Sequence, residues 1–130
     1  MIGSFSVKIV DSSLWVHQLR RNGDPDRRAR VETLLINGDA AWCAPVRLEL
    51  WRGVRNLQER KTLRAYEATL PDFEVTRDAW RLATLTADRG RAAGLSFPFP
   101  DLLIFGCALF HGLEVEAADV HYEQMRSLHS

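Results

Sequence analysis

The sequence has no long hydrophobic segment, very little lysine and only two cysteines. No window in its 130 residues approaches the roughly 20 apolar residues that a membrane-spanning helix requires, so we expect no membrane helix. Cys43 and Cys107 lie in apolar surroundings (AAWCAP and FGCALF), which predicts reduced, buried thiols. Neither cysteine belongs to a metal-binding or redox pattern.

The charges balance, since 17 basic residues face 17 acidic ones, and net charge therefore gives no argument for nucleic-acid binding. Lys8 and Lys61 are the only lysines, and the other basic residues are arginine. This bias reflects either genomic base composition or the bidentate phosphate contacts that arginine makes. The beginning MIGSFSVKIV carries its lysine inside the apolar run and has no small-residue cleavage site, so we expect no signal peptide and a cytoplasmic protein.

The chain contains neither a GxGxxG nor a GxxxxGK[ST] loop, which leaves nucleotide cofactors without support. It also lacks internal repeats, low-complexity tracts and any linker rich in Pro, Gly or Ser. Residues 1–130 are therefore predicted to form a single domain, and that length is sufficient for a substantial core.

Short apolar runs alternate with helical segments along the whole chain. The predicted strands are 7–10, 40–44, 72–76 and 113–117. The predicted helices are about 13–21, 25–36, 45–57, 59–70, 77–93, 101–112 and 119–128. Such alternation predicts an α/β fold in which helices cover both faces of a parallel sheet of four to five short strands.

Four acidic residues follow the predicted strands or begin the helices after them: Asp11, Glu49, Asp101 and Asp119. In open α/β sheets, sites form in the crevice at the carboxyl ends of the strands. We therefore expect the four side chains to converge, although they are far apart in sequence.

Each acid also has a structural explanation. Asp11, Asp101 and Asp119 stand at predicted helix starts, where they could cap backbone N–H groups. Glu49 flanks an apolar helical stripe and needs a partner, for which Gly53 leaves room. Converging carboxylates would repel one another unless a cation neutralises them, and Mg²⁺ or Mn²⁺ prefers such oxygen ligands. This arrangement suits phosphodiester hydrolysis.

The segments and their order resemble the PIN domain and, within it, the VapC toxins of bacterial toxin–antitoxin modules. "VDSSLW" is similar to the opening motif of that family, and "LELWRG" matches its glutamate four residues before a glycine. "FPFPDLLIFGCALFHGL" has the family's Pro-Asp, apolar helix and His-Gly turn. In the last motif, "ADVHYEQM" supplies Asp119, His121 and Tyr122 but has Ala117 where a hydroxyl residue is usual. The resemblance spans about residues 7 to 125.

The resemblance implies a Mg²⁺- or Mn²⁺-dependent ribonuclease whose metal ligands are Asp11, Glu49, Asp101 and Asp119. Ser13 would be a supporting hydroxyl near the metal, although helix capping explains it equally well. The resemblance also implies a homodimer and a small VapB-like antitoxin whose basic segment reaches into the acidic cleft. It leaves open which RNA is cleaved, which antitoxin binds, and which of the two metals is used.

The arginines, histidines and tryptophans can each be explained by a functional or by a structural role. Five arginines could guide an RNA backbone or simply form solvated helix faces: Arg20, Arg21, Arg47, Arg52 and Arg55. The four histidines fall in no ligand pattern, which favours surface or packing roles: His17, His111, His121 and His129. The four tryptophans are predicted to make core or dimer contacts in preference to stacking on bases: Trp15, Trp42, Trp51 and Trp80.

Two other function classes compete with the nuclease. The altered motif at Ala117 is compatible with a catalytically degenerate PIN module that binds RNA or protein. A phosphoacceptor domain of the receiver type also places aspartates at strand ends, but it needs an acidic pair behind the first strand and a lysine late in the chain. Lys61 is the last lysine here, which argues against the receiver reading.

Overall fold

The computed structural model describes residues 6–129. The prediction of no signal peptide concerns mainly residues 1–5, which lie outside the described range. Within this range four parallel strands form one sheet in the order β3-β2-β1-β4. The strands are β1 (Lys8–Val10), β2 (Ala40–Cys43), β3 (Asp72–Phe73) and β4 (Glu114–Glu116). The predicted parallel sheet and its four strands are confirmed.

The helices between the strands are α1 (Ser12–Leu19), α2 (Pro25–Ile36), α3 (Ala44–Arg52), α4 (Leu57–Thr69), α5 (Arg77–Ala92), α6 (Phe99–His111) and α7 (His121–Ser127). Connections from β1 to β2 and from β2 to β3 run in one direction across the sheet, and the connection from β3 to β4 runs back. Because parallel crossovers are right-handed, α5 and α6 cover the face opposite α1 to α4. The predicted two-sided α/β fold is confirmed.

Side-chain caps explain two boundaries that differ from the prediction. The helix predicted to reach residue 57 ends at Arg52, because Asn56 begins α4 by accepting a hydrogen bond from the Glu59 N–H at 2.9 Å. The third strand has two residues instead of five, because Thr76 caps α5 through the Ala79 N–H at 3.1 Å.

Two further helix starts were predicted wrongly. The buried helix begins at Phe99 and not at Asp101, because Pro100 fits the first turn of a helix, where its missing N–H costs nothing. The terminal helix begins at His121 and not at Asp119. Asp101 is therefore the third residue of α6, and Asp119 lies two residues before α7.

Aromatic packing fills the core on the α1–α4 side of the sheet. Trp15 of α1 and Trp42 of β2 are fully buried, with ring centroids 5.8 Å apart, and Tyr66 of α4 lies 5.2 Å from the Trp15 ring. The predicted core role of these two tryptophans is confirmed. Trp51 is half-buried, while Trp80 is 47% exposed and packs against the Phe99 ring.

On the other face, α5 and α6 pack closely at a glycine. A Cβ added to Gly106 would lie 2.4 Å from the Ala79 carbonyl oxygen and 3.2 Å from the Ala83 Cβ. Most of α6 between Asp101 and Ala108 is buried. This close contact fixes the position of α6, and α6 carries Asp101 in its first turn.

Cys43 and Cys107 are buried and form no disulfide, as predicted. No helix within residues 6–129 combines the length and the apolar character that a membrane crossing requires.

Candidate metal site

Asp11 lies directly after the central strand β1 and is 3% exposed. Its Oδ2 accepts a hydrogen bond from the Ser13 N–H at 3.1 Å, so Asp11 does cap α1, which was the structural alternative for this residue. Its Oδ1 accepts a hydrogen bond from the Tyr122 hydroxyl at 2.8 Å, across 111 residues of sequence. Capping therefore accounts for only one of the two carboxylate oxygens.

Asp101 lies in the first turn of α6 and is 9% exposed. Its side chain makes no capping bond in the structure; instead its Oδ2 accepts a hydrogen bond from His121 Nδ1 at 2.8 Å. The pKa of the Asp101 carboxyl is raised to about 6, mainly by burial and also by the charges of Asp11 and Asp119, while the hydrogen bond from His121 acts in the opposite direction. Asp101 therefore lies within electrostatic reach of two other acids.

Asp119 lies in the turn between β4 and α7. Its Oδ1 accepts a hydrogen bond from the His121 N–H at 3.0 Å and lies 3.7 Å from the Nδ1 of the same histidine. One ligand atom from each of Asp101, Asp119 and His121 lies within 4.8 Å of the other two. The turn thus brings one acid and one histidine against α6.

Glu49 reaches the same region from α3. Its Oε1 accepts a hydrogen bond from the Ser12 hydroxyl at 2.8 Å. Burial raises the pKa of the Glu49 carboxyl and the charge of Asp11 adds to this rise, while Ser12 and Arg52 oppose it. The partner of Glu49 is therefore a serine of α1, and the space beside Gly53 is occupied by Arg20.

All four predicted acids line one cavity of about 480 Å³ at the carboxyl edge of the sheet. Ser12, Ser13 and His121 line it too. Within residues 6–129, none of the four acids forms an ion pair with lysine or arginine. Asp11 and Asp101 are buried, Glu49 is half-buried and Asp119 is exposed. Carboxylates without a lysine or arginine partner, held beside hydroxyls and an imidazole, form a donor set that fits a hard divalent cation. Their assignment as metal ligands, with Ser13 in support, stays a prediction.

Three residues at or beside this cavity are absent from the predicted site: Ser12, Tyr122 and His121. Ser12 orients Glu49 and Tyr122 orients Asp11, while Ser13 accepts a hydrogen bond from the Ala118 N–H at 3.1 Å. The sequence predicts a surface or packing role for His121, but the structure places this residue between two acids. Its position two residues after Asp119, in a motif expected at the site, was the available signal.

The five arginines that could guide RNA differ in their surroundings. Arg20 lines the cavity, but its guanidinium binds Glu59 at 2.7 Å and the Gly53 carbonyl at 3.0 Å. Arg52 also lines the cavity, whereas Arg47 binds Asp72 at 2.7 Å. The other two, Arg21 and Arg55, are exposed. Arg52 is thus the arginine best placed to meet a phosphate beside the acids.

A second, apolar groove of about 640 Å³ adjoins the acidic cavity. Glu49 and Arg52 line both. Leu48, Trp80 and Phe99 also line the groove and are exposed by 68%, 47% and 64%. The acidic cavity therefore opens beside an apolar surface between α3, α5 and α6.

Comparison with known proteins agrees with this architecture. The chain is 28% identical over 109 residues to Ribonuclease VapC21 of Mycobacterium tuberculosis, covering 80% of this chain and 78% of that protein. Its fold is similar to that in the crystal structure of VapBC2 from Rickettsia felis bound to a promoter DNA fragment (TM-score 0.72, 13% identity, 91% of each chain). It is also similar to VapBC-5 of Mycobacterium tuberculosis, from the VapBC family of toxin–antitoxin systems (TM-score 0.67, 19% identity, 92% of this chain and 90% of that one).

The family model of the PIN domain matches residues 8–127, nearly the whole chain. The match includes all four acids and the turn that carries His121. The resemblance drawn from the four sequence motifs is confirmed, and the chain belongs to the PIN-domain family.

Proposed function

We propose that this protein is a metal-dependent endoribonuclease and the toxin of a toxin–antitoxin module. The observation that carries the proposal is the cavity in which Asp11, Glu49, Asp101 and Asp119 meet without a lysine or arginine partner among residues 6–129. The similarity to a ribonuclease of the VapC type supports the choice of RNA as substrate. Its place of action would be the cytoplasm, where RNA is available.

Asp11, Asp101 and Asp119 would hold Mg²⁺ or Mn²⁺, and Glu49 would bind it directly or through water. The ion would supply a water of lowered pKa and offset negative charge on the scissile phosphate. The neighbouring residues keep the carboxylates in place: Tyr122 holds one oxygen of Asp11, and Ser12 holds one oxygen of Glu49. Such fixed orientation reduces the reorganisation that the reaction requires.

Substrate binding has to overcome repulsion between RNA phosphates and the acids. Arg52 lines the cavity, and its charge opposes the rise in the pKa of the Glu49 carboxyl that burial causes. We therefore assign Arg52 to a backbone phosphate next to the cleavage site. Arg20 is excluded from this role because Glu59 and Gly53 occupy its guanidinium.

The antitoxin would cover the apolar groove and the acidic cavity together. A VapB-like segment with apolar side chains fits against Leu48, Trp80 and Phe99, and a basic side chain on the same segment would reach Glu49. The complexes of both structural neighbours with antitoxins support such a partner. We also propose that the toxin is a homodimer, which size-exclusion chromatography with light scattering would test.

The decisive experiment is RNA cleavage by purified protein freed of antitoxin, with Mg²⁺ or Mn²⁺ supplied. Asp11→Asn and Asp101→Asn should each abolish cleavage, because each removes one charged ligand. Asp88→Asn, at an exposed position of α5, is the matched control and should retain activity. Cleavage that survives both site substitutions would refute the assignment and would point to a contaminating nuclease.

A degenerate PIN module is the second candidate, favoured by Ala117 in place of the usual hydroxyl residue. It predicts little Mn²⁺ binding that depends on Asp11. Isothermal titration calorimetry of the unsubstituted protein and of Asp11→Asn separates the two, since the nuclease proposal requires a large difference between them.

A further inference from the structure

The Nδ1 atom of His121 faces two carboxylates of the cavity. It lies 2.8 Å from Asp101 Oδ2 and 3.7 Å from Asp119 Oδ1. The backbone N–H of His121 binds Asp119, and the ring packs edge-on against Phe97 with centroids 6.2 Å apart. Backbone and ring are thus both fixed, so that Nδ1 stays directed at the acids.

The spacing of these atoms matches that of ligands around one ion. Bonds of about 2.1 Å to a divalent metal place neighbouring octahedral ligands about 3 Å apart and opposite ones about 4.2 Å apart. The two distances from Nδ1 fall close to this range, and the three ligand atoms lie within 4.8 Å of one another. A cation could therefore replace the present hydrogen bond with little movement of the chain.

We infer that His121 Nδ1 is itself a metal ligand, together with Asp101 and Asp119, and that this nitrogen shifts the preference of the site from Mg²⁺ toward first-row transition ions. The inference rests on the proposed function, because it concerns the same metal site. Mg²⁺ prefers oxygen ligands, whereas imidazole suits transition metals, and affinity at mixed nitrogen and oxygen sites rises from Mn²⁺ to Co²⁺. An all-carboxylate site would lack this discrimination.

The test uses Mn²⁺, Co²⁺ and Mg²⁺ as probes of the full chain. Pulsed electron paramagnetic resonance of bound Mn²⁺ should show a ¹⁴N coupling that disappears in His121→Asn. By calorimetry, this substitution should lower Co²⁺ affinity at least about tenfold and change Mg²⁺ affinity by less than about twofold. His111→Asn is the control, because His111 lies at the other end of α6 and binds the Glu74 carbonyl at 2.8 Å.

The outcomes separate this inference from the proposed function. If Mn²⁺ binds in an Asp11-dependent manner but shows no ¹⁴N coupling, and His121→Asn lowers Co²⁺ and Mg²⁺ affinity equally, the nitrogen ligand is refuted and the nuclease proposal stands. If no ion binds the unsubstituted protein, both fail. A coupling that His111→Asn removes would also refute the assignment to His121.

Discussion

Glu59 and Asp101 are both buried carboxylates, and their surroundings differ. Glu59 of α4 is 4% exposed and binds the Arg20 guanidinium at 2.7 Å and the Arg55 N–H at 2.9 Å. Asp101 is 9% exposed and has an imidazole as hydrogen-bond donor and two further acids nearby. The first carboxylate is compensated and joins α1 to α4, whereas the second keeps negative charge available for a cation. Compensation, more than burial, distinguishes a structural acid from an acid of the site.

The largest effect is expected where the compensated pair is broken. Arg20→Gln should lower the free energy of unfolding by about 3 kcal/mol, because it leaves Glu59 charged and buried with only the more distant and exposed Arg55 guanidinium, at 3.9 Å, to offset the charge. Urea unfolding measures the loss. Arg21→Gln, at the exposed neighbouring position, is the matched control and should stay within about 0.5 kcal/mol.

Replacing both Arg20 and Glu59 provides a complementary test of this ion pair. Arg20→Met combined with Glu59→Leu should recover most of the loss, since no unpaired charge remains. If the single substitution is as mild as its control, the contrast between Glu59 and Asp101 is wrong.

At Asp101, which has no lysine or arginine partner, a substitution should have the opposite effect and raise the free energy of unfolding. In the presence of chelator, Asp101→Asn should stabilise the protein by about 2 to 3 kcal/mol at pH 7, because the raised pKa means that ionisation of Asp101 disfavours the folded state. The folded-state pKa of about 6 lies above the ordinary value of 3.8, so the contribution of Asp101 to the stability of the natural protein is fully present below pH 4 and is lost as pH rises through 6. The gap between the two proteins should therefore close toward pH 4.

Unfolding curves over that pH range, in excess chelator, measure this difference. Saturating Mn²⁺ should reverse the order of stability, because only the natural protein then gains from binding the ion. A variant that is less stable at pH 7 without metal would show that Asp101 is compensated after all.

An intermediate effect is expected at the hydroxyl that holds Asp11. Tyr122→Phe should lower the free energy of unfolding by about 1 to 2 kcal/mol, because Asp11 Oδ1 loses the donor at 2.8 Å. Thermal unfolding in chelator measures the change. Unchanged stability would mean that water replaces the hydroxyl without cost.

The smallest effect is expected at an exposed ion pair. Arg81 and Asp78 lie 3.2 Å apart on α5 with side chains 71% and 60% exposed. Arg81→Gln should change the free energy of unfolding by less than about 0.5 kcal/mol, because solvent screens the pair. A loss comparable with that of Arg20→Gln would show that burial does not control the strength of these pairs.

The sheet and its acidic edge could be predicted because they depend on local patterns. Apolar runs marked the strands, and the rule for strand ends placed the acids at one edge. The partners of the acids could not be read in this way, because Ser12 and Glu49 are 37 residues apart and Tyr122 and Asp11 are 111 apart. Such contacts depend on how the elements pack, which no single stretch of sequence encodes.

The missed boundaries have a local cause. Asn56 and Thr76 are capping residues within segments predicted as a helix (45–57) and as a strand (72–76), and their caps outweigh the apolar pattern around them. The pair of Arg20 and Glu59 was missed because a basic residue on a helix is normally solvated. Only packing of α1 against α4 shows that the Arg20 side chain is largely shielded from solvent, with 20% of it exposed.

The close contact at Gly106 has a consequence for how this protein would lose its toxicity. Any side chain there must push α6 away from the Ala79 carbonyl, and α6 carries Asp101 five residues earlier. A screen for cells that survive expression of the toxin should therefore recover Gly106 substitutions as well as changes of the acids. These survivors would contain a full set of site residues, and their lesion would lie at a helix contact, outside the cavity.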